Sequence, residues 1–316
     1  MDTVTDLTVV PRDGRRRLLA HYGAGVERWL AQAPGAFSTA AGRWNLTLLR
    51  YHDVGHASLL MVARDNGNGR EVLLKAWPDR ERYRNELLAL RVWASGPVAR
   101  VVGCADDLAL VAMEVVGAAP GGAARPAGAY EPVAKALHQL HVLGRRQCVP
   151  TAGLPGLQDF LTIELVPRMR RRLAETDRGI LGNWIGWGEI LAGRLWQDAE
   201  RVSVLHADLY QENVLFDRER QPVLIDPLPM VGDVIFDWAF WTVYYDLGTE
   251  TLRRFETAVT TGSLDPQRLA QWCLVLCIDG FLYYREVGDA RAPAMEQVID
   301  VLATAAGPDR RQEGEG

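Results

Sequence analysis

The chain has 316 residues, 48% of them hydrophobic and 24% charged, with a formal net charge of −5. That length suits two packed units, the composition is that of a soluble globular protein, and the acidic balance argues against a dedicated nucleic-acid binder. No apolar run approaches the ~20 residues needed to span a bilayer and the first residues, MDTVTDLTVVPRDGRRR, lack the apolar core of a secretory signal, so a cytoplasmic location with no membrane partner is expected.

In chain order, Leu18, Leu19, Tyr22, Val26 and Leu30 recur at near-helical spacing and predict one or two amphipathic helices over 12–33, ended by APGAF. From Trp44 the pattern turns to strands: NLTLLRYH, ASLLMVARD and REVLLKAW, with a hairpin at DNGNG, residues 65–69. A helix comes next in RERYRNELLALRVWAS, then two strands in ARVVGCA and LALVAMEVV. GAAPGGAARPAGAY reads as a linker and domain boundary. Beyond it, helices are predicted at 131–144, 157–175, 183–200, 236–247, 250–260, 266–286 and 292–305, with clear strand signals only around VLHADLYQENVLF and QPVLIDP. The divisions expected are 1–117 for the N-terminal helices and β-rich lobe, 118–306 for the helical lobe, and 307–316 as a disordered tail. The four cysteines, Cys104, Cys148, Cys273 and Cys277, form no metal pattern and read as small buried apolar side chains.

Two features carry chemistry. VLHADLYQENVLF spaces His206, Asp208 and Asn213 as H-x-D-x-x-x-x-N, and a strand thirteen residues on ends in Asp226. An amide and a carboxylate delivered from loops supply hard oxygens for Mg²⁺, which leaves room for phosphate oxygens. Asp208 would then face an attacking hydroxyl, while His206 reads as structural. The second feature is lysine scarcity: of 35 basic residues only Lys75 and Lys135 are lysine. Lys75 sits on a strand, and Glu86 lies eleven residues later on the next helix. A strand lysine, a helix glutamate, the H-x-D-x-x-x-x-N loop and a strand aspartate, in this order, are the parts of a phosphoryl-transfer site.

On these motifs the chain from about Leu18 to Ala305 resembles the aminoglycoside phosphotransferase family of small-molecule kinases, nearest its streptomycin 6-kinase and hydroxyurea-resistance phosphotransferase branch. VLHADLYQENVLF is similar to the catalytic loop of that branch. VLIDPLPMVGDVIFDWAF is similar to its metal-binding strand with the Gly-Asp and Phe-Asp pattern after it, and GRWNLTLL, VLLKAW and NELLALRVWA to its N-terminal lobe. The resemblance implies an α+β, bilobal protein-kinase-like fold: a small antiparallel-sheet lobe with one inserted helix, a larger mainly helical lobe, and N-terminal helices before them, with ATP or GTP and Mg²⁺ bound between the lobes. It implies Asp208 as catalytic base, Asn213 and Asp226 as metal ligands, and Lys75 with Glu86 as the phosphate-positioning pair. The Glu114 carbonyl and Val115 amide, in AMEVVG, would face the purine. DVGHASLL would cover the phosphates with a single glycine, Gly55, where protein kinases have three. Asp226 is followed by Pro227 and Leu228, which argues against a switchable activation segment. Gly232, Asp233 and Asp237 fit a structural turn and helix start near the catalytic loop. The expected activity is O-phosphorylation of an antibiotic hydroxyl, conferring resistance; a sugar or amino-alcohol kinase and a nucleotide-binding pseudokinase are the alternatives.

For the acceptor the resemblance gives no residue match. Trp272, Leu276, Asp279, Tyr283 and Glu286 fall within a helical stripe about 80° wide, which suits a cationic, hydroxylated small molecule bound by Asp279, Tyr283 and Glu286. The competing reading is an interior helix whose Asp279 and Glu286 find arginine partners within the protein. The chain is expected to act as a monomer or homodimer, without nucleic acid.

Overall fold

The structure, a computed structural model, describes residues 6–52, 54–55, 57–117, 120–146, 153–175, 188, 191–195, 197 and 199–306. Most of the expected helix at 183–200, the tail at 307–316 and Cys148 lie outside the described residues. The chain divides into two compact units, Met1–Ala127 with Leu215–Ile225, and Gly128–Val214 with Asp226–Gly316.

The first unit is a five-stranded antiparallel sheet in the order β1-β2-β3-β5-β4. Its strands are β1 (Leu46–His52), β2 (Leu59–Asp65), β3 (Glu71–Ala76), β4 (Val101–Ala105) and β5 (Leu110–Glu114). Strand alternation sorts their side chains into two layers. Leu59, Met61 and Ala63, Leu74 and Ala76, and Leu110 and Ala112 pack under α1 (Arg12–Tyr22) and α2 (Glu27–Arg43), with Leu18, Leu30 and Phe37. Leu73, Val111 and Met113 face α3 (Arg80–Val92), where Tyr83, Leu87 and Leu90 close the second layer.

The structure corrects three expectations. APGAF does not end the N-terminal helix: Pro34 lies inside α2, which runs on to Arg43. An interior proline removes a backbone hydrogen bond, yet the stripe Leu30, Ala33, Phe37, Ala40 and Ala41 continues unbroken into the core, and this burial outweighs the loss. Cys104 is not a buried apolar side chain but an exposed one on edge strand β4, with Arg91 Nη2 3.4 Å from its sulfur; Cys273 and Cys277 are buried as expected. The linker does not leave the first unit at residue 117. Ala123 N donates to Phe216 O at 2.7 Å and Arg125 lies 5.6 Å from the Phe216 ring, so the linker and the returning segment are joined.

That returning segment is a hairpin of β7 (Val214–Phe216) and β8 (Pro222–Leu224). The second unit holds the other small sheet, β6 (Val202–Leu205) paired with β9 (Met230–Asp233). The two strands of VLHADLYQENVLF therefore belong to different sheets, and β9 is a strand that the sequence pattern did not announce. Around them pack α4 (Tyr130–Arg146), α5 (157–175, π-wound over Phe160–Leu165), α6 (Ile235–Tyr244), α7 (Thr251–Gly262), α8 (Pro266–Glu286) and α9 (Ala292–Ala306). The core of α8 is Trp272 to Leu282, buried against α6 and α9. Among the described residues no helix is long and apolar enough to cross a membrane.

Candidate active site

Lys75 reaches its place by register. In β3 the odd positions Leu73 and Lys75 face α3, while Leu74 and Ala76 face α2. Asp79 caps α3, its Oδ1 accepting from Glu81 N and Arg82 N at 2.8 and 3.2 Å. Glu86 then falls on the inward stripe with Tyr83, Leu87 and Leu90. A carboxylate there needs a cation, and Lys75 Nζ donates to Glu86 Oε1 at 2.5 Å, with both side chains only 3% exposed. The ammonium also lies 4.8 Å from the Trp77 ring. Glu81, the nearby acidic residue, stays exposed on the first turn.

In the second unit β6 runs directly into the loop. Ala207 takes φ +56°, unusual for a residue with a Cβ. Asp237, fully buried in the first turn of α6, holds this turn: its Oδ2 accepts from His206 N at 2.8 Å and its Oδ1 from Ala207 N at 2.7 Å. His141 Nε2, from α4, lies 2.9 Å from the same carboxylate. The loop thus presents Asp208 with its preceding backbone clamped. Asn213 closes the other side, its Nδ2 donating to Asp208 O at 2.7 Å and Asp208 Oδ2 at 2.8 Å.

Asp226 comes after the hairpin in a left-handed turn at φ +54°. Two residues on, Leu228 N donates to His206 O at 2.9 Å, so this segment runs beside the loop. Among the described residues no group of three His, Cys, Asp or Glu could hold a metal. The amide oxygen of Asn213 and the carboxylate of Asp226 are hard oxygen donors of the kind Mg²⁺ takes, with water and phosphate to complete it.

Gly55 sits where a Cβ would come 2.6 Å from Ser58 O, so the close turn there requires glycine. Glu114 ends β5, its side chain paired with Arg100 at 3.0 Å, and Val115 comes next. Asp233 is structural: it accepts from Glu200 N and Arg268 Nη2 at 3.0 and 2.9 Å. Asp237 lies at the helix start read from the sequence and also holds the backbone on which Asp208 stands. Its grip on the loop backbone and its partner His141 are the part of the site the sequence did not reveal. An aspartate in the first turn of an apolar helix and a histidine on an apolar helix face carry no local signal of partnership.

On the acceptor stripe, Asp279 and Glu286 have the arginine partners within the protein that the interior-helix reading expected. Asp279 is taken by Arg168 (Nη2 to Oδ2, 2.6 Å) and Arg172 (Nη1 to Oδ1, 3.1 Å) of α5. Glu286 is taken by Arg171 and Arg172 at 2.6 and 2.7 Å. Glu286 ionises below the usual carboxylate range because both arginines donate to it. Tyr283 is exposed, with the Arg172 guanidinium 5.0 Å from its ring. Nearer the loop, Tyr210 meets Phe240 and Tyr244 at 5.1 and 5.4 Å, and burial raises its phenol pKa.

Residues 43–288 match the family described as aminoglycoside/hydroxyurea antibiotic resistance kinase. Streptomycin 6-kinase of Streptomyces griseus is 30% identical over 293 residues, 87% of this chain and 91% of that protein. Hydroxyurea phosphotransferase of Kitasatospora aureofaciens is 29% identical over 299 residues, 92% of this chain and 84% of that protein. Among solved structures, a thermostable mutant of aminoglycoside phosphotransferase APH(4)-Ia, in ternary complex with ADP and hygromycin B, superposes with a TM-score of 0.58 at 14% identity, over 86% of this chain and 99% of that one.

Proposed function

The chain belongs to the aminoglycoside/hydroxyurea antibiotic resistance kinase family and is a phosphotransferase, and from that premise we propose that it moves the γ-phosphoryl group of ATP or GTP onto a hydroxyl of a small-molecule antibiotic, inactivating it. The first unit contributes Lys75 for the α/β-phosphates, aimed by Glu86, with Glu114 and Val115 toward the purine and Gly55 in the loop over the phosphates. The second unit contributes Asp208, which accepts the proton of the attacking hydroxyl, and Asn213 and Asp226, which would hold Mg²⁺. When bound, that ion neutralises charge on the phosphate oxygens. Asn213 has a double duty, since its amide nitrogen also fixes the Asp208 carboxylate.

The observation that carries this reading is the sealed Lys75–Glu86 pair. Desolvating two charges is costly, and an apolar pair of similar volume is often as stable. A lysine kept there, in a chain whose basic residues are otherwise arginine at all but one position, points to a compact ammonium used for phosphate.

The test is Mg²⁺-dependent ADP or GDP release with streptomycin and hydroxyurea as acceptors, followed by phosphate transfer to the acceptor. Asp208→Asn should lower turnover by roughly 10²-fold or more while nucleotide binding persists. Near-normal turnover in that variant would remove Asp208 from the role of base. Asp226→Asn should selectively weaken Mg²⁺-dependent nucleotide binding.

A further inference from the structure

The loop over the phosphates has one glycine, yet its backbone is held at two points by a helix outside the family-matched segment 43–288. Arg17 Nε, from α1, donates to Gly55 O at 3.1 Å. Tyr22 OH, from the last turn of α1, donates to Ala57 O at 2.8 Å. Between these residues Leu18 is fully buried against the sheet, so the helix carrying both donors is itself anchored in the core. Tyr22 lies four residues after Leu18, on the same helix face; burial raises its phenol pKa, and Lys75 and Glu86 are among the charges it senses. It therefore remains a neutral donor throughout the neutral range.

We propose that α1 is a brace for the phosphate-covering loop, with Arg17 and Tyr22 as positioning residues for the nucleotide. A loop with three glycines reaches its bound shape by backbone freedom; this one has its shape set in advance by two side-chain donors on a docked helix. Preorganisation of this kind lowers the ordering cost of binding. Loss of the brace thus weakens nucleotide binding and leaves acceptor binding alone. The inference rests on the proposed role of the Gly55 loop in covering phosphates.

The test uses the full chain and titrates non-hydrolysable ATP and GTP analogues with Mg²⁺, reading whichever the wild type binds more tightly. Tyr22→Phe removes one hydroxyl and keeps the ring, so the fold is retained; Arg17→Ala removes the other donor, and Arg17→Lys restores a donor to the Gly55 carbonyl. Each loss should raise the nucleotide Kd about three- to tenfold, in line with one hydrogen bond. The double variant should exceed either single one, and Arg17→Lys should recover part of the loss. Acceptor KM should be unchanged, and amide exchange at Gly55, Ala57 and Ser58 should quicken. Unchanged nucleotide Kd in Tyr22→Phe and Arg17→Ala would overturn the brace, whether or not the melting temperature falls. Lys75→Met separates this from failure of the functional reading: if it weakens nucleotide binding and the α1 variants do not, only the brace is wrong. A wild type that binds neither nucleotide overturns both.

Discussion

The two units hold their charged clusters in opposite ways. In the first, one lysine and one glutamate face each other between sheet and helix, both almost wholly shielded from water. In the second, α5 and α8 share a ladder of five groups, Arg168, Asp279, Arg172, Glu286 and Arg171, in which each carboxylate has two arginines, and Arg168 and Arg171 remain 33% and 52% exposed. A sealed pair is intolerant, because removing one partner leaves the other charge with little access to water. A ladder is tolerant, because each arginine keeps solvent, another carboxylate or an aromatic face. The first is the arrangement expected where one atom must sit at one point; the second joins two helices.

The largest break in this contrast should come from Glu86→Gln, which removes the carboxylate that faces the Lys75 ammonium. A loss of about 3–5 kcal/mol in a denaturant melt is expected, along with weakened nucleotide binding. The double variant Lys75→Met/Glu86→Gln should melt nearer to wild type than Glu86→Gln does, yet remain inactive. If the single and double variants melt alike, the sealed pair is not the cause. Lys75→Arg should also be inactive, since the fork is larger than the ammonium.

Asp237 is the second unit's own sealed charge. Asp237→Asn turns an amide nitrogen toward one of the two backbone donors, His206 N or Ala207 N, that the carboxylate now accepts. Turnover should fall at least tenfold, the equivalent of about 1.5–3 kcal/mol for a hydrogen bond to a charged group. Nucleotide KM should be unchanged, and an unaltered turnover would show that the clamp is not needed to position Asp208.

Asp279→Ala sharpens the contrast from the tolerant side. Arg172 keeps Glu286, and Arg168 keeps the Phe160 ring 5.4 Å away, so the cost should be about 1–2 kcal/mol, between that of exposed and buried pairs. If the ladder only joins helices, acceptor KM will not change. A raised acceptor KM with unchanged nucleotide KM would give Asp279 the acceptor role that its place on the stripe first suggested.

The smallest effect lies beyond α8, where Arg291 donates to Asp289 and holds its carboxyl at about 2, against an ordinary 3.8. A folded pKa below the unfolded one means stability present above about pH 4 and lost as pH falls toward 2. The melting difference between wild type and Asp289→Asn should therefore be constant near neutrality and shrink below pH 4; a difference independent of pH would exclude the ion pair as its source.

Much of the molecule was legible in one dimension. The five strands of the first unit, α3, α5, α8 and α9 derive from periodicity and turn residues, because each has one face that must be buried and sequence spacing records which. The pairing of Lys75 with Glu86 was legible too, since a strand lysine and a glutamate on the following helix fall on one buried face. What the sequence left open are questions of partner choice. Val204 and Val214 both read as strand, but pairing with β9 in one case and β8 in the other depends on segments far along the chain. Pro34 reads as a stop, and only the core beneath Phe37 and Ala40 carries the helix past it. Asp279 reads as ligand or as ion-pair partner from the sequence, and only the fold brings the α5 arginines alongside it. Asp237 and His141, 96 positions apart, meet at the loop only in the folded protein. Local spacing fixes which face of an element is apolar, whereas the identity of what covers that face, and so the partner of every buried charge, is a property of the packed chain.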